Sequence, residues 1–249
     1  MQILVSVTTF LSFFLVGFLA WLWEIRDPLD QINYKSELTG EAKRFSLILI
    51  FHYVTFFTFA AMGEIFFPSS MLKAVGLGGV LSLPVWSRLI IAYLAADLTY
   101  YLVHRAQHST RFWWLTHRWH HTQYPYWWLS GMRDSLAGSV IYRIFFFGWF
   151  PMLGIPKELL FFVGLHYTLH VVWTHVNVKG KAWMGVVEWI YATPRSHIIH
   201  HASPGNNLGN MLVIWDRLFG TYVSPETFEV KLEKISSGEP ETVPMVLGI

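Results

Sequence analysis

Residues 89–121 read LIIAYLAADLTYYLVHRAQHSTRFWWLTHRWHH, and their reading governs the rest of the chain. An apolar run from Leu89 to Val103, broken by Asp97, leads directly into His104 and His108, and His117, His120 and His121 follow. Residues three or four apart on a helix share a face, with Cβ atoms about 5–6 Å apart. That spacing aims His104 with His108, and His117 with His120 or His121, at common ions. Adjacent helical residues point about 100° apart, so His120 and His121 suit two different ions. Further along lie His166, His170 and His175, then His197, His200 and His201. Of the 12 histidines, all but His52 fall in these four groups.

Composition says what surrounds them. Of 249 residues, 14% are charged, 53% apolar and 18% aromatic, against roughly 25% charged and 45–50% apolar in an ordinary soluble domain. The length allows one membrane-embedded unit without a second sizeable domain. A net charge of +2 without a Lys/Arg-rich run argues against a nucleic-acid partner. The lack of cysteine rules out disulfides, thiolate metal sites and a Cys nucleophile, so a transition metal here takes nitrogen and oxygen donors.

Residues 3–23 carry no charge and match the roughly 20 residues that cross a hydrocarbon core as a helix. No Lys or Arg precedes them and no small-x-small site ends them, so they read as a retained span rather than a secretory signal. Further apolar stretches cover 45–67, 89–103, 140–153 and 159–173. Pro151, Gly154, Pro156 and Lys157 read as the bend of a membrane hairpin near 140–175. Arg26, Lys35, Lys43 and Arg44 in one linker, and Arg105, Arg111, Arg118 and Arg133 in another, face the cytoplasm under the positive-inside rule, with the amino terminus outside. The hairpin then brings every histidine group to the cytoplasmic side. His52, alone in an apolar span, reads as a helix–helix polar contact. Trp113, Trp114, Trp119, Trp127 and Trp128 read as interfacial anchors. The tail 225–249 reads as strand-like or irregular, with little to bury.

Imidazole suits iron, copper, nickel and zinc, whereas calcium and magnesium prefer oxygen. The number of rings exceeds one tetrahedral site and argues for two ions. A histidine-rich two-metal centre at a membrane points to redox work on dioxygen. Each ligand ring needs an acceptor for its other nitrogen, and Asp97, Asp134, Glu188 and Asp216 are candidates. Asp97 lies seven residues before His104, about two turns, and so on the same face.

These residues resemble the fatty acid hydroxylase and sterol desaturase superfamily of membrane di-iron enzymes. DLTYYLVHRAQH (97–108) looks like the family's opening aspartate, aromatic pair and His-Arg-x-x-His element. HRWHH (117–121) and TPRSHIIHH (193–201) are similar to its later elements, and NLGNMLVIWDRLFGTY (207–222) to the signature that follows. HVNV (175–178) resembles the His-x-Asn-Val element and favours His175 as a ligand, whereas His166 with His170 fits the fatty acid 2-hydroxylase branch; both assignments stay open. The resemblance implies metal ligands among His104, His108, His117, His120, His121, His166, His170, His175, His197, His200 and His201, with Asp97, Asn177, Asn207 and Asp216 as supporting catalytic residues.

It also implies an all-α integral membrane protein: a transmembrane helical bundle with a cytoplasm-facing, histidine-rich catalytic cap. Residues 1–88 would form amino-terminal transmembrane helices and linkers, 89–222 the catalytic domain, and 223–249 a polar tail. The implied chemistry is a lipid monooxygenase with two Fe ions and O2 as co-substrate, hydroxylating an unactivated C–H bond of a fatty acyl, sterol or carotenoid-like lipid. Electrons would come from a separate donor such as cytochrome b5, a ferredoxin or a reductase, in the endoplasmic reticulum or a bacterial inner membrane. The same centre serves a desaturase if a second hydrogen leaves before hydroxyl returns. A non-enzymatic membrane metal-binding or transport protein predicts polar residues across several spans. A zinc hydrolase requires a positioned carboxylate base, and no His-Glu-x-x-His element occurs.

Overall fold

The computed structural model describes residues 2–231, 235–236 and 239–249; the side chains of residues 2–11 and of several positions between 40 and 60, His52 among them, lie outside that description. The described chain is all-helical. The long helices are α1 (Gln2–Arg26), α2 (Tyr34–Phe66), α4 (Val85–Ser109) and α8 (Lys157–Thr174), with α3 (Ser70–Ala74) between the second and third of them. Shorter ones are α5 (Arg111–Leu115), α6 (Leu136–Tyr142), α7 (Trp149–Met152), α9 (Met184–Val187), α10 (Pro194–Ala202), α11 (Ile214–Phe219) and α12 (Val243–Leu247). Among the described residues, no helix is long and apolar enough to cross a membrane.

Local chemistry sets where the short helices begin. Ser135 caps α6 by accepting from Gly138 N. Thr193 caps α10 by accepting from Ser196 N, while Ser196 Oγ accepts from Thr193 N at 2.9 Å. This reciprocal pair satisfies two amides that a helix start leaves unpaired. Pro194 at the first helical position loses no hydrogen bond there. The capping fixes the phase of α10 and hence the directions of His197, His200 and His201.

Between α7 and α8 the chain reverses at residues 153–156. Gly154 takes φ +62°, a left-handed value that glycine adopts without a Cβ clash. Arg88 donates to the Leu153 and Gly154 carbonyls at 2.7 and 2.9 Å, tying the bend to the start of α4. The two arms pack through Phe146, Phe147, Phe150, Leu160 and Val163, all buried. A second core joins α1, α8 and the turn Trp128–Met132 through Phe13, Trp127, Met132, Val172 and Val176.

The described tail is irregular up to Thr242, as read, and departs from that reading at its end. Thr242 accepts from Met245 N and starts α12 with a proline in its first turn. Met245 and Ile235 are buried, and Glu241 accepts from Trp119 Nε1 at 3.0 Å and pairs with Arg44. The tail has something to bury because Met245 joins the core cluster that holds Trp119 and Met132.

Candidate metal centre

α4 brings His104 and His108 inward, the segment after α5 brings His117, His120 and His121, the end of α8 brings His175, and α10 brings His197, His200 and His201. Two groups result. His104, His108, His117, His121 and His200 offer nitrogens all within 4.8 Å of one another, and so do His120, His175, His197 and His201. The groups adjoin: the His121 and His201 rings are 4.5 Å apart, and those of His117 and His120 5.0 Å. Two adjacent pairs, His120 with His121 and His200 with His201, each divide between the groups, as directions about 100° apart require.

Inside each group, Nε2 atoms face Nε2 atoms. His104 and His117 approach to 3.0 Å, His121 and His200 to 3.2 Å. In the other group His175 Nε2 lies 3.2 Å from His120, 3.2 Å from His197 and 3.3 Å from His201. The outward nitrogens explain the orientation. His104 Nδ1 donates to Leu208 O at 2.8 Å, His120 Nδ1 to Arg133 O at 3.0 Å, His175 Nδ1 to Val171 O at 2.9 Å and His200 Nδ1 to Asn206 O at 3.1 Å. Each such bond puts the proton on Nδ1 and turns the Nε2 lone pair inward, the tautomer of a metal ligand.

Burial favours the neutral form of every ring. It lowers the His104 pKa to about 3 and His108 to about 2, with neighbouring rings adding to the effect, and His120 to about 4, where the Arg133 charge adds to it. Burial likewise holds His117, His121, His175, His197, His200 and His201 well below the ordinary value. Converging lone pairs in a buried site repel one another, and the buried His108 Nε2 and His121 Nδ1 have no hydrogen-bond partner. The donor set fits transition ions that accept imidazole nitrogen.

The remaining expected residues lie elsewhere. His170 and His166 join neither group. His170 Nε2 donates to Asn210 O at 2.8 Å, which uses that nitrogen away from the rings, and His166 Nε2 lies 3.2 Å from the Tyr191 hydroxyl at an exposed position.

None of the expected acids has an imidazole among its hydrogen-bond partners. Asp97 accepts from Met211 N, Leu212 N and Trp215 Nε1, because its face of α4 meets the loop 207–216. Asp216 accepts from Leu208 N, Gly209 N and Thr221 Oγ1. Glu188 accepts from Arg195 and Thr193. Asp134 accepts from Ser139 Oγ at 3.3 Å and leaves Oδ1 without a partner. The asparagines also hold backbone. Asn177 bridges Asp30 N and Asp30 O, and Asn207, at φ +49°, joins Ser196 O to Val223. Backbone carbonyls therefore orient four of the rings, and Asp97 and Asp216 hold the segment 208–212, which carries one of those carbonyls, that of Leu208. Sequence reading missed the carbonyls, which have no side-chain signature. It also missed Glu24, the first acid after the first apolar run.

An all-helical chain with two adjoining groups of buried imidazoles defines a histidine-rich protein with a candidate metal centre. The chain belongs to the fatty acid hydroxylase family, which it matches over residues 89–221, more than half its length. It is 32% identical over 145 residues to an alkylglycerol monooxygenase of Xenopus tropicalis, covering 56% of this chain and 31% of that protein. The human alkylglycerol monooxygenase is 32% identical over 152 residues, 59% of this chain and 32% of that one. The ornithine lipid hydroxylase OlsE of Rhizobium tropici is 30% identical over 148 residues, 57% and 44% respectively. The chain thus spans about a third of the length of these alkylglycerol monooxygenases and less than half that of the hydroxylase. No solved structure matches it.

Proposed function

We propose that this chain is an oxygen-dependent lipid hydroxylase with two iron ions, one held by His104, His108, His117, His121 and His200, the other by His120, His175, His197 and His201. The observation that carries this reading is the convergence of neutral Nε2 lone pairs in two adjoining buried groups. Bound there, iron supplies the activation of O2 and the attack on an unactivated C–H bond. The protein's part is positional. Leu208, Arg133, Val171 and Asn206 carbonyls hold four rings in the ligating tautomer. Burial keeps the rings unprotonated and keeps bulk water away. Family membership, together with relatives named as monooxygenase and hydroxylase, favours oxygen chemistry over metal storage or transport.

The substrate follows the same relatives. An alkylglycerol and an ornithine lipid are both amphiphiles with a polar head, so lipids of that kind are the first to test. Reduction of the centre calls for a separate electron donor, of the cytochrome b5, ferredoxin or reductase type. A multi-pass membrane location, with the histidines toward the cytoplasm, is part of the proposal. It is supported by exposed apolar stripes: Leu15, Phe18 and Leu19 on α1, Ile50, Val54 and Phe57 on α2, and Trp86, Ile90 and Leu94 on α4. Apolar exposure on this scale suits contact with lipid better than contact with water.

The test is anaerobic purification in detergent, then metal analysis, Mössbauer spectroscopy and mass spectrometry of lipids from hosts with and without the active protein. Two irons per chain and a lipid heavier by one oxygen are expected. One zinc per chain, or activity without metal, overturns the proposal.

A further inference from the structure

Glu24 stands at the end of α1, outside the segment that matches the family, and its side chain is 0% exposed. Oε1 accepts from Trp128 N at 2.7 Å and from Asn177 N at 2.8 Å, and Oε2 accepts from the Tyr34 hydroxyl at 3.0 Å. A buried carboxylate is costly unless hydrogen-bonded, and here one oxygen joins two segments far apart in sequence.

Each of those segments supports the four-histidine group. Asn177 lies two residues after His175. Trp128 opens the turn Trp128–Met132, which leads into Arg133, whose carbonyl accepts from His120 Nδ1. The same turn backs directly onto His175: a Cβ on Gly131 would meet His175 Nδ1 at 2.6 Å and Val171 O at 2.8 Å. The chain after Glu24 adds to the clasp, with Leu29 N donating to Asn177 O, Lys179 N to Asp27 O and Asn177 Nδ2 to Asp30 O. Among the described residues, the five-histidine group receives nothing comparable from α1; its orienting carbonyls, Leu208 and Asn206, hang from the loop that Asp216 and Asn207 hold.

We infer that Glu24 is a positioning residue for one metal site of the two, setting the His120 and His175 rings of the four-histidine group through the backbone amides of Trp128 and Asn177. The inference rests on the proposed two-metal reading. Its requirement is reach rather than charge. A glutamine at position 24 keeps an oxygen for both amides and offers an N–H to the Tyr34 oxygen. An aspartate keeps the charge but is one methylene too short to meet both amides.

The experiment titrates Fe(II) anaerobically into the metal-free, detergent-solubilised 249-residue chain. A His117→Ala background leaves the four-histidine site to report, and a His175→Ala background leaves the five-histidine site. Glu24→Asp is expected to weaken Fe(II) binding at the four-histidine site about 10–100-fold, the usual effect of losing support behind a metal ligand. It should leave the five-histidine site unchanged, and Glu24→Gln should bind as the parent does at both. Unchanged affinity in Glu24→Asp, equal weakening at both sites, or a Glu24→Gln loss as large as that of Glu24→Asp overturns the inference. Failure of the parent chain to bind two irons counts instead against the two-metal reading.

Discussion

His120 Nε2 and His175 Nε2 face each other at 3.2 Å inside the four-histidine group. His120 gives its Nδ1 proton to Arg133 O and His175 gives its own to Val171 O, so the two Nε2 lone pairs point at each other. Facing lone pairs in a buried site need a cation between the rings to become favourable. Metal is therefore expected to stabilise the fold. Free ligand at about 100 times its Kd adds about 2.7 kcal/mol for one site. Thermal unfolding in detergent, with and without Fe(II), measures this; a midpoint indifferent to the metal contradicts it.

The ligand assignment separates histidines that look alike in sequence. His117→Ala and His175→Ala should each remove one iron and lower product formation by at least about 100-fold. His166→Ala alters an exposed ring beside Tyr191 and should hold two irons, with activity within about three-fold of the parent, as for other surface changes. His170→Ala should keep both irons while losing some stability, since its ring is buried and bonded to Asn210 O. Iron counts per chain decide the matter, and loss of an iron in His166→Ala would return that residue to the ligand set.

Asp216 acts on the five-histidine group at one remove. Its carboxylate fixes Leu208 N at 2.7 Å and Gly209 N at 2.8 Å, and the Leu208 carbonyl orients His104. A side chain at Gly209 would meet Asp216 Oδ2 at 2.6 Å, so the loop has little freedom. Asp216→Ala leaves two buried amides unpaired, at about 1–3 kcal/mol each, and lets Leu208 drift. Fe(II) affinity in the His175→Ala background should fall about 10–100-fold, while the four-histidine site in the His117→Ala background stays as it was.

The imidazoles were legible because helical spacing is a local property. His104 with His108, and the adjacent pairs at 120–121 and 200–201, carry their directions in the sequence itself. What holds them was not legible. Asp97 shares a helix with His104, which suggested contact with its ring, yet that face of α4 meets the backbone of residues 211–212 instead. His170 and His175 both sit near the end of α8, and only the hydrogen bond to Asn210 O shows that His170 turns away. The start signal of α12 was present in Thr242 and Pro244, but burial of Met245 depends on a core whose other members, from Phe13 to Met184, all lie far earlier in the chain. Glu24 and Asn177, 153 residues apart, meet only after the chain has folded.

Glu24 also predicts a pH dependence with a definite sign. Burial raises its carboxyl from 4.5 to about 7, against the pull of the Asn177, Trp128 and Tyr34 donors. Between pH 4.5 and 7 the folded chain keeps a proton there that the unfolded chain has released, so this group's contribution to stability is fully present below 4.5 and lost as pH rises through 7. The shift sets an upper bound of about 3 kcal/mol on the effect. Histidines titrate in the same window with the opposite sign, because their lowered values make the unfolded chain the better proton acceptor. The informative quantity is therefore the stability of Glu24→Gln minus that of the parent, in which the histidines cancel. Glutamine has no proton to lose, so the difference should grow in favour of the variant from pH 4.5 to 7 and stay level above. Denaturant midpoints of the two metal-free proteins across that range measure it, and a difference that does not vary with pH would show that Glu24 keeps its charge throughout.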